Sequence, residues 1–320
     1  MAMARHIVIL GGGHGVAAVI RALRSEDLEL TVIVSVADDG GSSGELRRRW
    51  GGVAVGDMRR SLSALAGEQS ALGRAFARPI TVHRVGSHPL GNLVLCSLEA
   101  AFGDLESASE WVCGQLGVSG RVLPASVDAV HLVADVPTGV VQGESAIGAC
   151  KLPILRLRFD PESPEVYPAA GQAITDADWV LLAPGSLYTS TLAASALPAL
   201  VQAITTTTAR RLWICNLEPE RVETADMEAA DHLAALRAHG LSVDGVLQDP
   251  EASLHFTPSQ LRSHGLPAVS APLRGREPSR HDDLLLGLAL HRLFTAEGGC
   301  PGSGFDPSAP ARPNDVALAA

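Results

Sequence analysis

Lysine is nearly absent. Lys151 is the only one among 25 basic residues, which are outnumbered by 35 acidic ones for a net charge of −10. A surface of that sign repels polyanions and gives little hold to duplex nucleic acid or an anionic membrane. The lone lysine lies in no G-x-x-x-x-G-K-[ST] phosphate loop, and no H-E-x-x-H zinc arrangement occurs. Cysteine is scarce as well. Cys96, Cys113, Cys150, Cys215 and Cys300 make an odd set without a C-x-x-C pair, which suits neither a disulfide framework nor a zinc site. Nowhere do about 18 apolar residues run consecutively. Met1 to Leu10 offers only a short apolar run after Arg5 and His6, with no small-residue cleavage site. The expectation is a soluble, cytoplasmic protein with no membrane insertion and no nucleic-acid partner.

What is present is a chain of 320 residues, long enough to bury roughly 75% of its unfolded surface without staples. Apolar runs at Ile7 to Leu10 and Thr31 to Val36 enclose a segment with apolar Val16, Val19, Ile20 and Leu23, which reads as strand, helix, strand. Further strands are expected at Val130 to Ala134, Leu155 to Leu157, Trp179 to Leu182, Leu212 to Cys215 and Gly245 to Leu247. Helices are expected at Asp57 to Ala66, Leu90 to Ala101, Ala193 to Ile204, Thr224 to Ala238 and His281 to Phe294. This alternation predicts an α/β fold built on a mostly parallel sheet covered on both faces. One domain over residues 1–294 is the simplest organisation. The Gly- and Pro-rich stretch 295–320 has few large apolar residues with which to stabilise a fold of its own.

Several strand ends carry residues suited to ligands. Gly11, Gly12, Gly13, His14 and Gly15 sit between the first strand and helix, where backbone amides favour an anion; a plain tight turn is the competing account. The spacing is not G-x-G-x-x-G. After the second strand come Asp38, Asp39, Gly40, Gly41, Ser42 and Ser43. The two carboxylates could hold Mg²⁺ or ribose hydroxyls and the Gly/Ser run could take phosphate oxygens, or the segment is a solvated turn. Asp57 is placed to cap its own helix, with Arg59 and Arg60 beside it. Together with Arg47, Arg48 and Arg49 these guanidinium groups concentrate positive charge suited to phosphate or carboxylate, or the first three form a solvated basic face. His88, Gly91 and Asn92 occupy another loop entering a helix. Gly185, Ser186, Leu187, Tyr188, Thr189 and Ser190 follow the Trp179 strand and offer amides and hydroxyls to an oxyanion. Asn216 lies beyond a further strand end, either reading a base or sugar edge or simply completing a turn.

In this order, the stretches GGGHG (Gly11 to Gly15), VADDGGSSGELR (Val36 to Arg47), GDMR (Gly56 to Arg59), HPLGNL (His88 to Leu93), GRVLPAS (Gly120 to Ser126), GES (Gly143 to Ser145), PGSLYTS (Pro184 to Ser190) and RHD (Arg280 to Asp282) resemble the gluconeogenesis factor family. That family lies among proteins similar to the 2-phospho-L-lactate transferase of deazaflavin coenzyme synthesis. The resemblance implies a doubly wound, Rossmann-like and CofD-like fold with a nucleotide site at the carboxyl edge of the sheet, including Arg280. It also implies binding of a UDP-sugar such as UDP-N-acetylglucosamine and a role in cell shape and envelope growth on gluconeogenic carbon sources. No cofactor is required for binding, and a homodimer is compatible with the sequence. The alternative is a Mg²⁺-dependent phosphoryl or nucleotidyl transferase, with the metal on Asp38 or Asp39. A scaffold using the arginine-rich region for a protein partner is the third reading. The family pattern is departed from at His14, Val55 and Arg60. It is reduced at His83 to Val85, and at Asn216 with Val222, Glu223 and Thr224.

Overall fold

The computed structural model describes residues 5–24, 27–82 and 86–296. The chain opens with β1 (Arg5–Gly11), α1 (Gly13–Leu23) and β2 (Leu28–Val34), then α2 (Gly41–Trp50), α3 (Gly56–Ala66) and α4 (Ala71–Ala77). A short hairpin of β3 (Pro79–Val82) and β4 (Gly86–Pro89) leads into α5 (Leu90–Phe102), α6 (Leu105–Leu116) and β5 (Arg121–Pro124). An insertion follows: β6 (His131–Val136), β7 (Gly139–Gln142), α7 (Glu144–Gly148) and β8 (Arg156–Asp160). Next come α8 (Pro168–Asp176), β9 (Trp179–Leu182), a π-helical turn over Leu187–Leu192, α9 (Ala193–Ser195), α10 (Pro198–Thr206) and β10 (Arg210–Ile214). The described chain closes with α11 (Ala229–Ala238), β11 (Gly245–Gln248), α12 (Pro258–His264), β12 (Ala268–Ser270) and α13 (Asp283–Ala296).

Seven strands form one parallel sheet in the order β12-β11-β10-β9-β1-β2-β5. Ile7, Val8, Ile9 and Leu10 of the interior strand β1 are wholly buried, as strands covered on both faces must be; each large aliphatic side chain so placed contributes about 1.5–3 kcal/mol. One group of helices, α3 and α13, packs around α1, and a separate pair, α8 and α10, packs together and against the sheet through α8. The fold is therefore doubly wound. Reading outward from β1, the chain first fills β2 and β5 and later returns to fill β9, β10, β11 and β12 on the other side. Beyond the carboxyl ends of β1 and β9 the direction of winding reverses, which is where sheets of this kind bind ligands.

The expected strands near Val130 and Leu155 exist but do not join the main sheet. They pair antiparallel with each other, and β6 also with β7, in a separate sheet of order β7-β6-β8. The expected helix from Ala193 to Ile204 is interrupted, because Pro198 opens α10 and disfavours helical geometry in the residue before it. The helix expected from Thr224 begins only at Ala229, behind a capping box made by Glu228 and Asp231. Among the described residues no single helix is long and apolar enough to cross a membrane. The reduced segment His83 to Val85 and residues 297–320 lie outside the described residues.

Candidate functional site

The loops after β1 and β9 touch directly. A methyl group on Gly15 would lie 1.7 Å from the carbonyl oxygen of Pro184, so only glycine permits this approach. The side chain of Ser190 lies beside both loops: a methyl at Gly12 would be 3.6 Å, and one at Gly185 3.5 Å, from its Cβ. Gly11 and Gly13, at φ +149° and +66°, use backbone conformations that L side chains rarely adopt. His14 is exposed at the start of α1. Its imidazole is held below the usual range by desolvation and then by Arg60, Arg280, Arg21 and Arg59, which places a basic group of side chains at this end of the crevice.

Asp57 does not cap its own helix. Because α3 begins at Gly56 with Val55 as its cap residue, Asp57 already lies inside the first turn and makes no cap bond there. Its side chain instead reaches α1, where Oδ1 accepts the Gly13 amide at 3.1 Å, and the same oxygen accepts from the Arg60 guanidinium of α3. Burial raises the Asp57 carboxyl above the ordinary range, with Arg60 and the Gly13 amide pulling in the opposite direction. The amide at the start of α1, an obvious anion donor, is therefore already engaged by a carboxylate of the chain itself.

The segment after β2 is not a flexible run. Gly41, Ser42 and Ser43 form the first turn of α2, and a methyl on Gly44 would lie 1.8 Å from the Asp39 carbonyl oxygen. The two carboxylates diverge. Asp38 Oδ1 accepts the Gly40 amide at 2.8 Å, whereas Asp39 Oδ1 accepts the Ser145 amide at 2.9 Å and so pins the start of α7. Behind them runs a polar chain. Ser42 Oγ bonds His88 Nδ1 at 2.8 Å and accepts from Asn92 Nδ2 at 2.9 Å, while Asn92 Oδ1 accepts from Arg59 Nε at 3.3 Å. His88 and Asn92 are buried, and a methyl on Gly91 would strike Phe76 and Arg59. Ser42, His88, Asn92 and Arg59 thus form one connected network.

Two residues absent from the sequence-derived set belong here. Glu144, at the start of α7, is half-buried, and its carboxyl is pushed up to about 7 by desolvation and then by Asp38, Asp39, Asp57 and Glu223. Glu223, between β10 and α11, is buried; its Oε1 accepts the Tyr188 amide at 2.6 Å and its Oε2 accepts from Thr189 Oγ1 at 2.7 Å. Burial raises this carboxyl too. Only the short stretches around each residue carried a signal in the sequence, GES for the first and Val222 to Thr224 for the second.

These contacts redistribute the roles expected after β9. Leu187, Tyr188 and Thr189 are buried, and the Tyr188 hydroxyl donates to the Ile154 carbonyl at 3.1 Å, so the hydroxyls of Tyr188 and Thr189 turn inward. Gly185, Ser186 and Ser190 remain partly exposed at the crevice. Asn216 accepts the Gly185 amide at 2.9 Å and donates to the Gly185 carbonyl at 2.7 Å. Its amide is engaged in holding the loop rather than reading a base edge. Arg280 is exposed and pairs with Glu277 at 3.1 Å, within electrostatic reach of His14. Among the described residues no group of three or more His, Cys, Asp or Glu side chains is assembled to hold a metal ion.

The model of the 2-phospho-L-lactate transferase CofD family matches residues 7–264. The gluconeogenesis factor of Bacillus subtilis is 36% identical over 235 residues, 73% of this chain and 74% of the relative. A Mycobacterium tuberculosis relative given the same functional description is 36% identical over 311 residues, 92% of this chain and 85% of the relative. A Nostoc relative is 38% identical over 234 residues, and the match spans only 51% of its length. The crystal structure of a UPF0052 family member from Bacillus halodurans superposes with a TM-score of 0.84 at 30% identity, over 90% of this chain and 99% of that one.

Proposed function

Because the chain belongs to the gluconeogenesis factor family of CofD-like proteins, we propose that it binds a nucleotide sugar, such as UDP-N-acetylglucosamine, in the crevice between the β1 and β9 loops. Through that ligand it would regulate cell shape and envelope growth during gluconeogenic growth, as a cytoplasmic protein of one CofD-like domain and in a form that a homodimer would accommodate. The observation that carries the reading is the glycine-only contact of the two loops at the winding reversal, with Ser186 and Ser190 beside it and His14, Arg59 and Arg60 along one flank. Close backbone approach and cationic side chains suit a diphosphate. The carboxylates of Asp38, Asp39 and Glu144, which lie within electrostatic reach of one another, suit the hydroxyl groups of a sugar. Calorimetry with UDP-N-acetylglucosamine, UDP and other nucleotides, with and without Mg²⁺, tests it. Saturable binding of the nucleotide sugar is expected; no binding of any of them removes the proposal.

The second reading is a Mg²⁺-dependent transferase, favoured by the family match and by Asp38 and Asp39 at the carboxyl edge. Each of these carboxylates commits one oxygen to a backbone amide. The residues therefore fit Mg²⁺ in the way that ion is usually held, by one or two carboxylates completed by substrate phosphates and water. Bound there, it would neutralise phosphate charge, while Arg59 and Arg60 orient the substrate. Formation of a product from a nucleoside triphosphate and candidate acceptors, lost in Asp38→Asn, would favour this reading over binding alone.

A further inference from the structure

The turn after β9 has an unusual start. Ser186 carbonyl oxygen accepts from both Ser190 N at 3.1 Å and Thr191 N at 2.9 Å, and this wide, π-type winding leaves the leading amides without partners inside the turn. Such amides would ordinarily seek water or a bound anion. Here the chain supplies its own anion. Glu223, 7% exposed, lies on the connection between β10 and α11 and takes the Tyr188 amide and the Thr189 hydroxyl on its two oxygens. Seven residues earlier on the same connection, Asn216 grips the amide and carbonyl of Gly185. Glu223 is itself steadied by its neighbour Thr224, buried at 1% exposure, whose hydroxyl accepts the Glu220 amide at 2.9 Å. The β10–α11 connection therefore holds the β9 loop at both ends of the stretch from Gly185 to Thr189.

We infer that Glu223 is a positioning residue for the nucleotide-sugar site: its carboxylate fixes the π-helical turn so that Gly185, Ser186 and Ser190 face the β1 loop, without touching the ligand itself. This inference rests on the proposed binding function for its ligand and deepens it. A buried carboxylate at a helix start also places negative charge near the position of an incoming diphosphate. Geometry and charge consequently pull in opposite directions at this one side chain, and substitutions can separate them. Glu223→Gln keeps an acceptor for the Tyr188 amide, and its Nε2 can donate to the Thr189 hydroxyl, so the clamp survives while the charge is lost. Glu223→Ala removes both.

The test compares wild type, Glu223→Gln, Glu223→Ala and Thr189→Val by circular dichroism, calorimetry with UDP-N-acetylglucosamine, and amide hydrogen exchange without ligand. Glu223→Gln should bind as tightly as wild type or more tightly, and Glu223→Ala should lose tenfold or more while still folded at the assay temperature. Without ligand, Glu223→Ala should speed exchange across residues 185–191 and Glu223→Gln should not. Thr189→Val, which deletes one of the two bonds and keeps the fold, should fall between them; if Glu223→Ala does not fold, this variant reads the clamp in its place. Equal weakening by Glu223→Gln and Glu223→Ala would mean that the carboxylate contacts the ligand and would overturn the inference. Unchanged exchange in the loop of Glu223→Ala would overturn it as well. If wild type binds no nucleotide sugar, the binding proposal fails and the positioning role at that site falls with it. The exchange result would still report whether the loop is clamped.

Discussion

Gly15→Ala tests the contact between the two loops more sharply than any other single methyl group. The added carbon would sit 1.7 Å from the Pro184 carbonyl oxygen, 2.5 Å from its carbon and 3.3 Å from the Gly185 amide nitrogen. All of these are backbone atoms, which cannot swing aside as a side chain would. To restore ordinary contact the loops must separate by about 1.5 Å or more, and overpacking of this kind costs about 1–3 kcal/mol. Separation also strains the two Asn216 bonds to Gly185, each worth roughly 1 kcal/mol. The sum is about 3–5 kcal/mol, or a melting temperature lower by about 5–8 °C for a domain of this size. Gly114→Ala is the matched control. It lies inside α6 with nothing within 4 Å of the new methyl, so it should gain about 0.5–1 kcal/mol from helix propensity. Thermal unfolding followed by circular dichroism reads both. If Gly15→Ala melts within a degree of wild type, the loops are not in contact and the reasoning about the crevice fails.

Other substitutions probe separate parts of the account. Asn216→Ala removes both clamp bonds and leaves the Gly185 amide without its partner, so it should cost about 2–3 kcal/mol and weaken nucleotide-sugar binding; unchanged stability and affinity would show that the clamp is idle. Glu144 has a folded-state value of about 7, above its ordinary 4.5, so its favourable contribution is complete below about 4.5 and is lost as pH rises through 7. Glu144→Gln should therefore stabilise the unliganded protein at pH 8, on the order of 1 kcal/mol after discounting for partial exposure, and the gain should vanish near pH 4.5; a pH-independent difference would contradict a carboxyl raised by desolvation and then by neighbouring acids. His232 is buried, its Nε2 makes no hydrogen bond, and its value is pushed down from 6.5 to about 4. Neutral in the fold, it contributes stability above pH 6.5 that is lost as pH falls towards 4. His232→Leu should become progressively more stable than wild type over that window in acid-unfolding curves, and parallel curves would refute the assignment.

Much of the scaffold was legible because its signal is local. Ile7 to Leu10 and Trp179 to Leu182 are continuous apolar runs, and they are the strands flanking the winding reversal. Elements were missed where local preference and final structure disagree. Gly41 to Gly44 reads as a flexible loop because glycine is a poor helix former, yet it opens α2, where the close approach of Gly44 to Asp39 needs glycine. The edge strand β5 is only Arg121 to Pro124, too short for a pattern. At the site, the glycine loops announced themselves by composition. The partners of their amides did not, since Asp57 meets Gly13 and Glu223 meets Tyr188 only through tertiary folding. Nothing in the spacing of those acids marks Asp57 as a partner for a helix other than its own or Glu223 as a partner for the turn after β9.

The crystal structure of the complex with UDP-N-acetylglucosamine examines the central claim most directly. The account predicts electron density for the diphosphate between residues 11–15 and 185–190, with the sugar towards Asp38, Asp39 and Glu144. Density for the nucleotide at any other surface, with the β1 and β9 loops still closed on each other and empty between, would contradict it.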